Sequence, residues 1–325
     1  MNVNDKNFFV RHKKKTLIVL ISCFSCLSVA ICELVLQEFM GLGNPIIYDS
    51  SPIYGYRPLP NKDYTRFSGA KLKFNNLGLR ANKDWNEDKH DKILFLGDSV
   101  TYGGSYIDNE ELFSYLAVEL LNKTSHLHYT SGNAGVNAWG VENIYGLIKE
   151  FHFLPAMMYI TTLPEGDFYR GLTRLHGLPF FNKKPTFALQ ELWYYFCYLQ
   201  NDKRYVSWKT FLNEQETTYV LEKAVKKLKE MDVYLKDKGY KHLIFITPSK
   251  AQVMEGTRKD TLIYDLLAQH ELAPYYIIDD IAQYHLSLKE KEGLFHDAIH
   301  LTKKGHELWA TIIATELKNR FTGVR

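Results

Sequence analysis

Three side chains that could serve as nucleophile, base and acid lie in two distant parts of the chain. Ser99 follows the short apolar run 93–96 and Gly97, whereas Asp297 and His300 lie three residues apart near the C-terminus. A serine hydroxyl becomes a useful nucleophile only when a positioned base takes its proton and an acid orients that base. In a turn or helix start, the spacing of Asp297 and His300 lets the carboxylate reach the imidazole. We therefore predict that His300, oriented by Asp297, activates Ser99.

The sequence around Ser99 also predicts where its hydroxyl lies. Four apolar residues bounded by a turn signal are typical of a buried strand, and the small and polar residues after Leu96 are typical of a loop that opens a helix. The hydroxyl would then lie at the carboxyl end of a strand, where ligands bind in open α/β sheets. A helix N-terminus just beyond it would direct unpaired N–H groups at developing negative charge.

The chain resembles the SGNH/GDSL hydrolases in two blocks, Gly97-Asp98-Ser99-x-Thr101-x-Gly103 and Asp297-x-x-His300-Leu-Thr. The resemblance covers roughly residues 91 to 320. Two blocks in the family order are more specific than a Gly-Asp-Ser tripeptide, which ordinary turns also contain. The resemblance implies the flavodoxin-like three-layer α/β/α sandwich with a parallel sheet that this family shows.

Apolar periodicity independently predicts alternating strands and helices beyond Ser99. The expected strands are 127–130, 156–161, 242–247 and 276–278, and the expected helices are 109–121, 219–238 and 305–321. Such alternation favours a parallel sheet with helices on both faces. In the family topology, the nucleophile, the oxyanion loops and the Asp297/His300 loop all meet at one edge of the sheet.

The resemblance further implies which groups would form an oxyanion hole. Besides the N–H of Ser99, the second family block contributes a glycine N–H, and residues 133–140 match that block. The best match to the glycine is Ala138, with Gly135 as the alternative. Because the donor is a main-chain group, an alanine need not abolish it. A turn rich in Gly and Asn is the structural alternative for this stretch.

The third family block contains Asn-Asp, and this chain has Gly166-Asp167 in its place. The asparagine donor is therefore missing, and Asn137 is a candidate replacement. Removal of one oxyanion donor typically costs about 10²–10³ in kcat. The substitution predicts either a compensating donor or a slow, specialised or impaired enzyme.

Length and composition fit one large α/β domain with appendages. The chain has 325 residues, of which 46% are hydrophobic and 24% charged, and its formal charge is +3. The first 15 residues contain five basic side chains and one acidic side chain, so the rest of the chain is close to neutral. A near-neutral body gives no electrostatic reason to expect nucleic-acid binding.

Residues 17–36 read LIVLISCFSCLSVAICELVL and are about long enough to cross a bilayer, with Glu33 as the only charge. Because basic residues directly precede this run, the positive-inside rule keeps the N-terminus cytoplasmic and places the rest in the periplasm or outside the cell. A cleaved signal peptide is the alternative, but no small-x-small site closes the run before Glu33. A loose lipoprotein box at 20–23 is followed by further apolar sequence, which a lipoprotein would not show.

We accordingly divide the chain into a cytoplasmic basic tail at 1–15, a single-pass anchor in the inner or plasma membrane at 16–36, an extended juxtamembrane segment at 37–90 and a hydrolase-like domain at 91–325. The domain carries an aromatic-rich insertion at about 170–215, which either packs or caps the site. Residues 75–80 resemble an Asn-x-x-Gly-x-Arg stretch of membrane-anchored family members. Arg80 either reaches substrate or pairs with a carboxylate or backbone carbonyls and pins the segment to the domain.

Other reactive residue types are not predicted to be functional. His296 and His306 flank His300 but lack its spacing to an acid, and His152 and His176 have no partner visible in sequence. Cys197 is the single cysteine outside the apolar run, so the domain has no partner for an internal disulfide. No metal-ligand spacing occurs, and we expect neither a metal nor a cofactor.

The predicted chemistry is acyl transfer through an acyl-enzyme on Ser99. If water accepts the acyl group, the protein is an esterase, and the family resemblance suggests an O-acetyl or similar ester of a cell-envelope glycan. If a sugar hydroxyl accepts it, the protein is an O-acyltransferase, which would take its acyl group from a membrane donor partner. A catalytically weak glycan-binding or assembly partner is a third alternative, motivated by the missing asparagine.

Overall fold

The computed structural model describes residues 12–86, 91–124, 128–151, 155–175, 182–202, 214–258 and 261–322. The strands are β1 Tyr48–Ser51, β2 Gly55–Pro58, β3 Lys62–Arg66, β4 Ala70–Phe74, β5 Lys92–Gly97, β6 Thr130–Gly135, β7 Met158–Pro164, β8 Lys241–Thr247 and β9 Tyr275–Tyr276. The α-helices are α1 Lys13–Met40, α2 Ser99–Tyr102, α3 Phe113–Thr124, α4 Val141–Glu150, α5 Ala188–Asp202, α6 Glu214–Asp237, α7 Lys250–Glu255, α8 Thr261–Gln269, α9 Ile277–Ile281, α10 Leu288–Gly293 and α11 Lys303–Thr322.

Strands β5 to β9 form one sheet in the order β6-β5-β7-β8-β9, and all neighbouring pairs are parallel. This is the flavodoxin-like order, in which the first strand lies between the second and the third. Strand β5 lies inside the sheet and is buried along its whole length. The predicted α/β fold with a parallel sheet is confirmed.

The two faces of β5 pack against different helices, which makes the molecule three-layered. Leu94 and Leu96 belong to a core that includes residues of α4 and α6, whereas Ile93 and Phe95 belong to a second core with residues of α3 and α11. Alternate side chains of a strand point to opposite faces, so an apolar run that is buried on both faces suits a central parallel strand.

Two elements differ from their predicted bounds. Strand β6 was expected at 127–130 but runs from Thr130 to Gly135, so residues 133–135 lie in the strand and not in the loop after it. Its small residues have a packing reason, because a Cβ at Gly132 would overlap the Trp85 ring. The predicted bounds of the strand at 276–278 are also wrong, because β9 ends at Tyr276 and the following residues form α9.

The juxtamembrane segment, whose composition fits an extended tether or a small hairpin better than a helix, contains two antiparallel hairpins, β1/β2 and β3/β4. Burial alternates along β3 and β4, as expected for strands with one face on a core. Tyr54, Tyr56, Leu72 and Phe74 belong to the same core as the sheet face of Leu94. The hairpins are therefore part of the packed body.

Helix α1 is long and apolar enough to cross a membrane, and none of its most apolar window is buried by the protein. By length and composition it fits a membrane span or a signal sequence. The C-terminal end is attached to the body: Leu36 is buried together with Leu42 and Ala188. The bulk of the predicted cytoplasmic tail, residues 1–11, lies outside the described residues.

Candidate active site

A close approach of backbone segments places Ser99 at the carboxyl end of β5. Gly97 is the last residue of that strand, and a Cβ there would overlap Thr101 Oγ1 and the carbonyl oxygen of Thr162. The Asp98 carboxylate accepts a hydrogen bond from the N–H of Val100 at 2.8 Å and caps the short helix α2. Ser99 is the first residue of this helix and lies on the rim of the sheet, where the sequence predicted it.

The structure brings the three sequence-predicted side chains together. Ser99 Oγ lies 2.8 Å from His300 Nε2, and His300 Nδ1 lies 2.6 Å from Asp297 Oδ2. Both distances are within hydrogen-bonding range. The order of hydroxyl, imidazole and carboxylate is the one that lets a histidine take the serine proton while a carboxylate holds the imidazole tautomer.

Asp297 is held by backbone donors as well as by the imidazole. Its Oδ1 accepts hydrogen bonds from the N–H groups of Ile299 and His300, both at 2.9 Å. Partial burial acts to raise the pKa of Asp297, but these hydrogen bonds and the His300 side chain outweigh it, and the net pKa is lowered. The group therefore stays a carboxylate that can accept from His300 Nδ1.

Arg80 anchors the loop that follows the nucleophile. Its guanidinium is buried and donates to the carbonyl oxygens of Tyr102 at 2.6 Å, Gly104 at 2.7 Å and Ile107, and its Nε donates to Asn109 Oδ1 at 3.0 Å. Burial lowers the pKa of this arginine. Of the two roles left open by the sequence, the structure gives Arg80 the one that pins the segment to the domain.

The two second-block candidates for the oxyanion hole differ in availability. The N–H of Gly135 donates to Asn133 Oδ1 at 2.8 Å, and a Cβ at Gly135 would overlap the backbone N of Tyr102. Gly135 thus has a packing role, and its N–H is already used. Ala138 lies in the loop after β6 with φ of 60°, a left-handed conformation that favours glycine.

The remaining oxyanion candidates lie in loops after β6 and β7. The carbonyl oxygen of Asn137 accepts the hydroxyl of Tyr56 at 2.6 Å, which fixes the backbone there. Gly166 is the exposed residue of a largely buried 3₁₀ turn at residues 165–169, and a Cβ added to it would meet no atom within 4 Å. The missing asparagine side chain would thus have room at this position.

A buried cluster behind Ser99 was not predicted from sequence. Arg170 Nη1 lies 2.6 Å from Asp167 Oδ1, 3.4 Å from Asp98 Oδ2 and 3.1 Å from the carbonyl oxygen of Trp139. Burial and the neighbouring Asp98 raise the pKa of Asp167 well above its usual range, although Arg170 opposes the shift. The available signal was the spacing of Asp167 and Arg170, three residues apart just after a strand.

The cluster joins the three loops that contain the nucleophile and the oxyanion candidates. Asp98 precedes Ser99 after β5, Trp139 follows Ala138 after β6, and Asp167 follows Gly166 after β7. One guanidinium therefore fixes the distances between these loops.

The other histidines have structural surroundings. His306 lies on α11, as predicted, and its buried Nδ1 accepts the N–H of Phe113 at 3.1 Å. The His296 ring stacks on the Tyr106 ring with centroids 4.2 Å apart. His152 and His176 lie outside the described residues. Among the residues that the structure describes, no group of three or more His, Cys, Asp or Glu side chains is arranged to hold a metal ion.

The aromatic insertion is described at residues 170–175, 182–202 and 214–215. Within it, helix α5 packs on α1, and Cys197 is a partly exposed free thiol. Residues 176–181 and 203–213 of the insertion lie outside the described residues, so the choice between packing and capping stays open for them.

No protein-family description matches this chain, and no curated protein matches it in sequence. Its structure is similar to a lipase/acylhydrolase from Enterococcus faecalis, with a TM-score of 0.41 and 17% identity over 70% of this chain and 96% of that chain. It is also similar to the acetyl xylan esterase AlAXEase (TM-score 0.43, 14% identity, 70% and 99% of the chains). An acetylxylan esterase from Geobacillus stearothermophilus is a third such structure (TM-score 0.41, 14% identity, 70% and 94%).

The features on which the resemblance of the two sequence blocks rests are all present in the fold and the site. The sheet order, the Gly-Asp-Ser turn at the end of its first strand and the Asp-x-x-His loop before the last helix all occur in this chain.

Proposed function

We propose that this protein is a serine esterase that works through an acyl-enzyme. The observation that carries the proposal is the continuous chain of hydrogen bonds from Ser99 Oγ through His300 to Asp297, at 2.8 and 2.6 Å. His300 Nε2 takes the hydroxyl proton as Ser99 Oγ attacks an ester carbonyl, and the same proton then passes to the leaving alcohol. Water attacks the acyl-enzyme in the second step, with His300 again acting as base.

We assign the oxyanion to the main-chain N–H groups of Ser99 and Ala138. Both belong to loops that Arg170 holds together, through Asp98 and through the carbonyl of Trp139. Donors that are fixed before the reaction need no reorganisation as negative charge develops.

We further propose that α1 is a retained membrane anchor and that the site lies outside the cytoplasm. Glu33 Oε1 and Oε2 accept the N–H groups of Ala188 and Leu189 at 2.5 and 2.9 Å, and the carbonyl of Gly41 at the end of α1 accepts from Arg66 at 2.5 Å. Cleavage within α1 would remove these contacts, and cleavage after α1 would separate their partners into two chains. The contacts therefore support retention over a cleaved signal peptide.

The exposure of the site supports a large substrate. The side chains of Asp297 and His300 are 48% and 28% exposed, so the triad lies at an open surface. An O-acetyl or similar ester on a cell-envelope glycan fits such a surface and the proposed location. An open site also admits a sugar hydroxyl in place of water, which keeps O-acyl transfer as the second candidate.

The first experiment tests the nucleophile in the full chain, purified in detergent. A fluorophosphonate probe should label the wild type, and the wild type should hydrolyse p-nitrophenyl acetate. Ser99→Ala should abolish both reactions. Ser105→Ala, a serine in the same loop, should retain both. A folded wild type that the probe does not label would contradict the esterase proposal and favour a glycan-binding or assembly role.

The second experiment identifies the acyl acceptor. The enzyme is incubated with an acetylated oligosaccharide and an excess of an unacetylated one, and free acetate and newly acetylated sugar are measured. Release of acetate alone supports the esterase. Acetate that appears mainly on the second sugar supports the acyltransferase.

A further inference from the structure

Helix α5 exposes an apolar face that none of the described residues covers. The side chains of Trp193 and Phe196 are 61% and 51% exposed, and Leu192 and the preceding Phe187 are also exposed. The Trp193 and Phe196 rings stack with centroids 5.6 Å apart, so they present one continuous aromatic surface. Large apolar side chains that cluster on a surface mark an interaction site more often than isolated ones do.

An adjacent face of α5 is bound firmly to the body. Glu191 is buried and its carboxylate pairs with the buried Arg66 at 2.5 Å, and Ala188 is buried against the end of α1. Residues 188, 191 and 195 follow the helical spacing that places side chains on one face, whereas 192, 193 and 196 lie on a neighbouring face. Because α5 is firmly attached, a loosely held helix does not explain why Trp193 and Phe196 are exposed.

The contact with Glu33 fixes the height of the first turn of α5 along α1. The apolar run 17–36 has about the 20 residues that cross a hydrocarbon core of roughly 30 Å. Glu33 lies three residues before the end of that run, so it is only about 5 Å inside its outer boundary at 1.5 Å per residue. Because Glu33 accepts the N–H groups of Ala188 and Leu189, the first turn of α5 lies at that same level.

We propose that α5 lies on the membrane that α1 crosses and inserts Trp193 and Phe196 into its interface. This inference rests on the proposed membrane anchor. Tryptophan favours the interface between headgroups and acyl chains, where its apolar ring and polar N–H are both accommodated. The exposed Lys183 and Lys184, just before the helix, suit the phosphate groups of the same lipids. A second contact of this kind would fix the tilt of α1 and the body relative to the membrane surface.

The test measures the depth of single spin labels on the full chain in lipid nanodiscs. All four cysteines, Cys23, Cys26, Cys32 and Cys197, are first replaced by serine or alanine. Labels are then placed singly by Trp193→Cys, Phe196→Cys, Leu27→Cys and Leu288→Cys. Leu27 reports the proposed span, and Leu288 is a matched control because it is an apolar residue with 66% exposure on α10.

Labels at 193 and 196 should collide often with oxygen, which dissolves in lipid, and rarely with a water-soluble nickel chelate. The label at 27 should behave in the same way. The label at 288 should show the reverse. Labels at 193 and 196 that behave like the one at 288 would overturn the proposal, and so would labels shielded from both reagents, because a protein partner or second copy would then cover the helix.

Two controls separate this inference from the proposals it rests on. A water-exposed label at 27 would show that α1 does not span the membrane, which overturns the anchor and the inference together. Fluorophosphonate labelling of each variant reports the Ser99 site independently and confirms that the chain is folded. Quenching by brominated lipid, present in the wild type and lost in Trp193→Phe, checks the result without a cysteine substitution.

Discussion

Asp297 and His300 are exposed enough that water weakens the interaction between carboxylate and imidazole, so this contact alone would contribute little. What fixes the carboxylate is geometry, because the backbone N–H groups of Ile299 and His300 hold one oxygen and leave the other for the imidazole. Ser99, by contrast, is only 8% exposed. The nucleophile is thus presented from a buried turn, while its base approaches from an accessible loop.

Gly166 is where a single residue should change the rate. We expect Gly166→Asn to raise kcat by up to about 10²–10³, because an amide donor would join the main-chain donors in stabilising the oxyanion. The open space around Gly166 accommodates the side chain. Hydrolysis of p-nitrophenyl acetate by the variant measures the effect.

Gly166→Asp is the matched control, since it has the same shape without the amide donor and should not raise kcat. If Gly166→Asn left kcat unchanged, another group would already supply the missing donor, or the side chain at 166 would not reach the oxyanion.

At the scale of elements, whether a hydroxyl–imidazole–carboxylate set can meet a substrate depends on its lying at the end of a strand and not within the strand. A second carboxylate–imidazole–hydroxyl chain runs from Asp232 through His242 to Thr161, with both distances 2.9 Å. It lies inside the fold, where Thr161 is fully buried, and burial lowers the pKa of His242. The same three group types therefore stabilise the core here, whereas the Ser99 set lies where loops leave the sheet and substrate can approach.

Arg170 is a positioning residue for the loops after three strands. We expect Arg170→Lys to lower kcat by about tenfold or more with little change in KM. The reason is that all three contacts come from Nη1 at the tip of the guanidinium, and the shorter lysine side chain keeps the charge but does not place a nitrogen at the same point. Steady-state kinetics with p-nitrophenyl acetate separate the two parameters.

The fluorophosphonate labelling rate of Arg170→Lys should fall in parallel with kcat, since both depend on the placement of Ser99 and the oxyanion donors. A raised KM with unchanged kcat would instead indicate that Arg170 contacts the substrate. Asp167→Asn serves as the comparison, because it weakens the same cluster without altering the arginine.

Sequence could predict the elements whose pattern is local. The apolar run of β5 and the long periodic helices were recognisable, and so was the Asp297–His300 pair, since both partners lie in one loop. Arg170 was missed because its partners follow different strands, and only the folded sheet brings them together. Strand β6 was misplaced because its glycines and polar residues satisfy contacts with Trp85 and other residues of distant segments.

At the scale of the whole molecule, the first described helix and the hairpins are tied to the domain through polar contacts. Arg66 on β3 pairs with Glu191 on α5 and also donates to the carbonyl of Gly41 after α1. Helix α1, a hairpin and the insertion thus meet at one guanidinium. Helix α1 therefore joins the body through packed elements, and the body's orientation follows that of the helix.

A buried histidine should make the stability of the whole fold depend on pH. Burial, reinforced by the nearby Arg80, lowers the pKa of His306 to about 3, compared with an ordinary value of about 6.5. Below pH 6.5 the unfolded chain takes up this proton but the folded chain does not. The stability linked to His306 is therefore fully present above pH 6.5 and is lost as the pH falls towards 3, at about 1.4 kcal/mol per pH unit.

The measurement is the free energy of unfolding in urea, in detergent, at several pH values between 8 and 4.5. His306→Gln should show a shallower decline than the wild type below pH 6.5, because its amide oxygen can still accept the N–H of Phe113 but does not titrate. The difference between the two free energies of unfolding at pH 8 gives the packing cost of the substitution, and it is subtracted from the difference at each lower pH. His242, whose pKa burial also lowers, leaves a residual decline in the variant. Parallel curves for the two proteins would mean that His306 takes up a proton equally in the folded and unfolded chains, and its neutral, buried role would have to be abandoned.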